Sequence, residues 1–204
     1  MTRSRIEQAV SNNAIWCDTL CRAHGAPGVF YDAIWLNRSP VPRFYPNAIT
    51  LSDRRDVHVQ RTHLETLLAL NLPASWGIKD SFCALDLTRL GFQLQFEATW
   101  LWRTPTRMTL DVKNDAAQWT VVQNESKLAQ WEAAWSGDPV NASPRPQLRL
   151  FVPALLDEQD IAFIAAYQGE RIVAGAIVNR AADVAGLTNF LRLRQIAPRS
   201  WLVA

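Results

Sequence analysis

The chain has 204 residues, of which 49% are hydrophobic and 20% are charged. This length and composition are typical of a globular protein with one large domain or two small ones and a sizeable buried core. The 21 basic and 19 acidic residues nearly balance, giving a formal net charge of +2. Because there is no excess of positive charge to neutralise phosphates, the composition argues against nucleic acid as a partner.

The amino-terminal stretch MTRSRIEQAVSNN lacks the apolar centre of a signal peptide. No apolar run in the sequence approaches the roughly 20 residues that a membrane-spanning helix needs. We therefore expect a cytoplasmic protein without membrane contact. The three cysteines are an odd number, which favours reduced thiols over a disulfide framework.

The first half of the chain predicts helices that alternate with short strands, judged from apolar periodicity and from capping residues. The predicted elements are a helix ending near Gly25, strands at residues 29–36, 48–51 and 76–79, a helix capped by Ser52 or Asp53 that runs to about residue 71, and a short helix capped by Asp80 or Ser81 that ends at Gly91. Three prolines within residues 37–46 predict a loop there.

The clearest periodic signal lies in Phe92–Trp102, FQLQFEATWLW. Apolar and polar side chains alternate along it, broken only by Leu101. A period of two over this length predicts a strand with one buried face and one wetter face. Glu97 lies on the wetter face.

The second half predicts a strand at residues 119–122 and a helix capped by Asn124 that ends at Gly137, followed by a short strand at 148–152. Residues 163–190 then predict three strands joined by two tight turns, because β-branched and small apolar residues flank two polar breaks. Consecutive strands joined by tight turns form an antiparallel meander.

This meander resembles part of the GNAT family of acyl-CoA N-acyltransferases. The segment FIAAYQGERIVAGAIVN is similar to the family's pair of strands around a short turn, and VAGLTNF is similar to the strand that lines the cofactor. The resemblance covers residues 163–190. It implies an α+β fold, in which a mixed, largely antiparallel twisted sheet is flanked by helices.

The resemblance also implies an activity, the transfer of an acetyl or other acyl group from acyl-CoA to an amine of a small molecule or a peptide, without a metal. In the family, backbone groups of the cofactor strand pair with the pantetheine amides, and the corresponding residues here are Leu187, Thr188 and Asn189. The family's glycine-containing pyrophosphate motif does not follow, because residues 191–204 contain no glycine. The alternative function is therefore a non-catalytic GNAT-like module that binds a partner or forms a homodimer.

The domain organisation implied by the resemblance has two parts. Residues 1–103 resemble the second half of a GNAT domain, and residues 118–204 resemble the first half, which we expect to be truncated. Residues 104–117 are the predicted linker. The order fits either one permuted GNAT-like sheet or a tandem of a degenerate copy and a truncated one, and the missing pyrophosphate motif favours the tandem.

Further site candidates come from residues at helix starts and on the predicted long strand. Ser52, Arg54 and Arg55 begin a helix after a strand, where amide groups and guanidinium groups attract a pyrophosphate, although a charged helix cap has the same sequence. Asp80 is a candidate general base or a plain N-cap. Glu97, beside tryptophans, is a candidate base toward an amine, or simply solvated.

One combination of residues invites a metal-site interpretation. Cys17, Cys21 and His24 share one helix face, so they offer two thiolates and an imidazole to zinc. A structural zinc site needs a fourth ligand, and free cysteines are commonly core residues, so buried thiols are the preferred interpretation. We predict no metal site. The tryptophans at positions 100, 102, 119, 131 and 135 are predicted to be core residues.

Overall fold

The computed structural model describes residues 4–70, 77–104, 117–137 and 149–192. Within them the fold is α+β, with three α-helices and two four-stranded, mostly antiparallel sheets. The chain divides into two compact units, residues 1–98 with 181–184, and residues 99–180 with 185–204. The α+β prediction is confirmed, and the described strands form two sheets rather than one.

Helix α1 (Arg5–Ala23) opens the first unit and confirms the first predicted helix. A capping box starts it, because the Glu7 N–H donates to the Ser4 hydroxyl and the Ser4 N–H donates to the Glu7 carboxylate. Gly25, at φ 74°, adopts the left-handed conformation that often terminates helices. No helix in the described ranges combines the length and apolarity of a membrane span.

The first sheet is built around a parallel pair of strands. The elements of this part are β1 (Val29–Phe30), β2 (Ile34–Leu36), β3 (Ala48–Thr50), α2 (Val57–Leu68) and β4 (Ile78–Lys79). The order is β1-β2-β3-β4, in which β1, β2 and β3 are antiparallel and β3 and β4 are parallel. A parallel pair needs a crossover connection, which α2 supplies. Leu64 and Leu67 of α2 pack on Ile34, Leu36 and Ala48.

Two predictions for this unit need correction. Residues 29–36 form two strands instead of one, because the chain turns between them and the Tyr31 N–H donates to the Ile34 carbonyl. The short helix predicted after Asp80 is absent. Only a 3-10 turn, Thr88–Leu90, precedes Gly91, because the Asp80 carboxylate binds amides up to Leu85 and holds the intervening chain as a loop.

The strand predicted for Phe92–Trp102 is also wrong, because this segment belongs to neither sheet of the described residues. Leu94 is 78% exposed and Phe96 is 80% exposed, so the apolar face of the pattern is not buried. A period of two gives a segment a face, but a strand also needs a neighbour that pairs with its backbone. No described strand supplies that neighbour.

The second sheet confirms the predicted meander. The elements of this part of the chain are β5 (Gln118–Val121), α3 (Glu125–Ser136), β6 (Ile161–Gln168), β7 (Arg171–Ala181) and β8 (Val184–Arg192). The order is β5-β6-β7-β8. Gly169 forms the first turn, and Ala182 and Asp183, at φ 53° and 61°, form the second, a two-residue turn of the type that matches strand twist.

Helix α3 has the predicted bounds, since the Asn124 side chain accepts from the Lys127 N–H and Gly137 is left-handed. The strand predicted at residues 148–152 is not formed by the described residues 149–152. The Glu132 carboxylate instead accepts from the N–H groups of Leu150 and Phe151, at 2.6 and 3.4 Å. These two amides therefore find their acceptor on α3 instead of on a neighbouring strand.

An aromatic cluster joins α3 to one face of the second sheet. The ring of Trp131 meets the rings of Phe151 and Phe163 edge-on, with centroids 5.4 and 5.3 Å apart. The Trp131 indole N–H also donates to the Ile164 carbonyl at 2.9 Å. Gly175 makes room for this indole, because a Cβ there would lie 2.6 Å from the Ile164 oxygen and 2.7 Å from the Trp131 nitrogen.

We expect Gly175→Ala to destabilise the protein by about 1–3 kcal/mol, the usual cost of forcing extra atoms into a packed core. Urea unfolding followed by tryptophan fluorescence measures this change. Gly77→Ala is the matched control, because a Cβ at Gly77 meets no atom within 4 Å. Equal stability of the two variants would contradict the packing described.

Candidate functional site

The residues predicted to line a cofactor, Leu187, Thr188 and Asn189, all lie in β8. This strand ends the order of the second sheet, so no described strand pairs with its outer side. Leu187 is 56% exposed and Phe190 is 65% exposed. The strand therefore combines an open backbone edge with accessible apolar side chains.

Asn189 interrupts the regular backbone of β8. Its φ is 50°, a left-handed value inside a strand, and the Thr188 hydroxyl donates to its side-chain oxygen at 3.1 Å. A left-handed residue departs from the extended conformation of the strand and redirects the backbone groups beside it. An extended ligand with amides can pair with such an edge by strand addition.

A second candidate region lies in the first unit, where the parallel strands β3 and β4 end. Ser52, Arg54 and Arg55 follow β3, and Asp80 follows β4. Because the two strands are parallel, both groups lie at the carboxyl ends of the strands, where ligands bind in many open sheets that contain parallel strands. The structure thus brings these predicted residues to the same end of the first sheet, whereas the β8 residues belong to the other unit.

The start of the helical segment after β3 is already capped. The Asp53 carboxylate accepts from the Arg55 N–H at 3.1 Å and from the Arg55 guanidinium at 2.9 Å, and these bonds hold the pKa of Asp53 below its usual range. The Ser52 hydroxyl accepts from Gln60. Arg54 is exposed and forms no ion pair with any residue in the described ranges. Of the two predicted cationic phosphate ligands, Arg55 is already bound to Asp53. An incoming anion can therefore bind Arg54 without displacing the Asp53 carboxylate.

Asp80 holds the loop that follows β4. One carboxylate oxygen accepts from the Thr50 hydroxyl and the Phe82 N–H, at 3.1 and 3.3 Å. The other accepts from the N–H groups of Ala84 and Leu85, at 2.6 and 2.8 Å. A carboxylate with four such partners positions the backbone, and general-base chemistry would have to break this arrangement. The catalytic role of Asp80 stays a prediction.

Glu97 is exposed and lies in the segment Phe92–Trp102, which belongs to neither sheet. The sheet surroundings predicted for it are therefore absent from the described residues. Its carboxylate is accessible to an approaching amine, and its role as a base stays a prediction.

Lys79 is a partly buried cation at the end of β4, directly before the candidate Asp80. Its ammonium group donates to the Asn13 side-chain oxygen at 2.6 Å, and burial lowers the pKa of Lys79. The available signal was a lysine directly after an apolar residue in a short strand. Such a signal does not distinguish a buried ammonium group from an exposed one.

The three cysteines are free thiols, as predicted. Cys17 and Cys21 are buried, and burial raises the pKa of each thiol to about 12. No group of three or more histidine, cysteine, aspartate or glutamate side chains in the described part of the chain is placed to hold a metal ion. The two buried cysteines behave as small core residues.

Comparisons of the chain with protein-family models, with curated proteins and with solved structures found no match.

We expect Asp80→Ala to lower stability by about 1–3 kcal/mol, because backbone N–H groups and the Thr50 hydroxyl lose their acceptor. Thermal unfolding measures the effect. Asp86→Ala is the control, since Asp86 is exposed and, among the described residues, accepts hydrogen bonds only from the Thr88 N–H and hydroxyl. A larger loss in Asp86→Ala would contradict the role assigned to Asp80.

At pH 8 we expect a thiol reagent such as DTNB to label one cysteine of the folded protein quickly. Cys83 is exposed, whereas a thiol with a pKa of about 12 is a thiolate in only about one molecule in ten thousand at this pH. Cys17 and Cys21 should react only after denaturant is added. Rapid labelling of Cys83→Ser would contradict their burial.

Proposed function

We propose that this chain is a GNAT-like N-acyltransferase, in which β8 holds an acyl-CoA for transfer of its acyl group to an amine. The observation that carries the proposal is the open, interrupted edge of β8 at Leu187–Asn189. These are the residues that the resemblance selects as the cofactor strand, and an edge that is open on one side is what pairing with pantetheine amides requires.

The topology of the second sheet gives further support. The resemblance implies a meander that leads into the cofactor strand, and β6, β7 and β8 succeed one another as antiparallel neighbours. The exposed side chains of Leu187 and Phe190 offer apolar surface to the methyl-rich arm of the cofactor. Binding of this arm needs backbone amides and apolar contact, and it does not need a positively charged residue.

The reaction follows from the chemistry of the two substrates. The lone pair of a neutral amine attacks the thioester carbonyl carbon, the carbon–sulfur bond breaks, and CoA leaves as a thiolate that takes up a proton. The amine loses a proton to a base or to water. The protein contributes by holding the thioester in a fixed orientation on β8. Glu97 and Asp80 both belong to the first unit, so the proposal assigns no base on β8 and leaves the proton to water.

The second candidate function is a non-catalytic binding module. The observation that favours it is the Asp53 carboxylate, which already caps the position where Ser52, Arg54 and Arg55 would hold a pyrophosphate. A module of this kind uses a sheet edge to bind a protein partner or a second copy of itself.

We expect acetyl-CoA to raise the melting temperature, because a ligand that binds only the folded state stabilises it. At a ligand concentration one hundred times the dissociation constant, the stabilisation is about 2.7 kcal/mol. Thermal-shift titration with acetyl-CoA, and with CoA alone, measures it. No shift at millimolar acetyl-CoA would rule out the enzyme and favour the binding module.

A pair of variants at Asn189 links any binding to β8. Asn189→Gly should retain the acetyl-CoA shift, because glycine adopts a φ of 50° freely. Asn189→Val should raise the dissociation constant for acetyl-CoA about tenfold or more and so reduce the thermal shift. A β-branched residue is strained at positive φ and straightens the strand. Equal shifts in the two variants would place the ligand somewhere other than β8.

A further inference from the structure

Strand β5 presents the other open edge of the second sheet. It begins the order β5-β6-β7-β8, so no described strand lies on its outer side. All four of its residues are exposed, and two of them, Trp119 and Val121, are large apolar residues with 62% and 46% exposure. The strand carries neither proline nor a charged residue. Prolines and charged residues are among the features that usually prevent two sheet edges from pairing.

The ladder between β5 and β6 fixes which backbone groups of β5 point outward. The Val122 N–H donates to the Phe163 carbonyl of β6 at 2.8 Å. Because antiparallel strands alternate, Thr120 also directs its N–H and C=O toward β6, whereas Trp119 and Val121 direct theirs away from it. The Val121 carbonyl accepts from the Thr120 hydroxyl at 3.3 Å, which leaves a lone pair for another donor.

We propose that β5 pairs antiparallel with β5 of a second copy of this chain, about a two-fold axis at Thr120. In this register Trp119 and the partner's Val121 exchange both backbone hydrogen bonds, and the reciprocal pair does the same. Thr120 lies opposite the partner's Thr120. Pairs of an aromatic with a β-branched residue, and of two threonines, are favourable across strands. Two four-stranded sheets become one sheet of eight strands.

A second copy fits this edge better than a charged peptide does. Residues 117–124, AQWTVVQN, are uncharged, so two copies do not repel each other there, and an acidic or basic segment gains no ion pair. The apolar side chains of the edge are also self-complementary, because Trp119 and Val121 are two residues apart on one face and exchange places under the two-fold rotation. The resulting contact is isologous, as in most homodimers.

The contact surface is small, so the dimer is weak. One aromatic side chain offers about 150–250 Å², and two tryptophans and two valines therefore bury well below the roughly 1,200 Å² of a stable complex. We expect a dimer that forms and dissociates with protein concentration. The pairing does not depend on acyl transfer, because β8 is the opposite edge of the sheet and stays open. For the second candidate function, the non-catalytic binding module, the proposed partner is a second copy of the chain.

Sedimentation equilibrium at increasing concentrations should show a mass that rises from 23.0 kDa toward twice that value. Val121→Lys should lower the association constant about tenfold or more, because the dimer loses both apolar pairs and gains two like charges. Val59→Lys is the matched control, since Val59 on α2 is a valine that is also 46% exposed. A monomer at every concentration, or a dimer that Val121→Lys leaves intact, would overturn the proposal.

A cross-link tests the register directly. Non-hydrogen-bonded antiparallel pairs have Cα atoms about 4.5 Å apart, a distance that a disulfide can bridge. In a Cys83→Ser background, Thr120→Cys should form a disulfide dimer under mild oxidation. Gln118→Cys should not, because this register sets Gln118 opposite the partner's Val122 and away from its own copy.

Equal cross-linking at both positions, or none at Thr120→Cys, would overturn the register. Acetyl-CoA thermal shifts of Val121→Lys separate this proposal from the proposed activity, because loss of the dimer leaves β8 unchanged. Near-ultraviolet circular dichroism of each variant confirms that it remains folded.

Discussion

The constraint on which the structure depends is that every buried backbone N–H and C=O group needs a partner. In the second sheet, tight turns at Gly169 and at Ala182 and Asp183 return the chain on itself, so each strand of the meander pairs with the next. The same solution leaves two edges open, at β5 and at β8. Both functional proposals concern these edges, because unsatisfied backbone groups at a sheet edge are accessible to any extended partner.

Acidic side chains satisfy the constraint where strands and helices end. Asp53, Asp80 and Glu132 each accept hydrogen bonds from backbone amides of residues that lie outside the strands. Arg149 then forms ion pairs with Glu132 and with Glu125, at 3.6 and 2.9 Å. These carboxylates shape loops and helix starts. Carboxylates beside sheets could serve either catalysis or structure. The hydrogen bonds that these carboxylates accept from the backbone favour the structural role.

Elements with local signals could be predicted from the sequence. Helix α3 follows from Asn124 and Gly137, and α1 from its apolar spacing and Gly25, because caps and periodicity act within a few residues. The split of residues 29–36 was missed because the turn at Tyr31 contains neither glycine nor proline. The strand predicted at residues 148–152 was wrong because the acceptor for the Leu150 and Phe151 amides, Glu132, is distant in sequence.

The failure at Phe92–Trp102 has a different cause. Alternation of apolar and polar residues is a property of one segment, whereas a β-strand exists only when two segments pair. Sequence periodicity carries no information on whether a second segment is present. The site shows the same division. Resemblance could select Leu187–Asn189, but the edge position of β8 and the left-handed backbone of Asn189 are properties of the assembled sheet. The four partners of Asp80 likewise include Thr50 of another strand.

Hydrogen–deuterium exchange of the backbone amides, with and without acetyl-CoA, tests the central claim most directly. If β8 pairs with the pantetheine arm, amides within residues 187–190 gain protection when acetyl-CoA is present, because strand addition supplies acceptors for outward N–H groups. We expect this protection to be concentrated in β8. Unchanged exchange in β8 at saturating acetyl-CoA, or protection confined to the first unit, would contradict it.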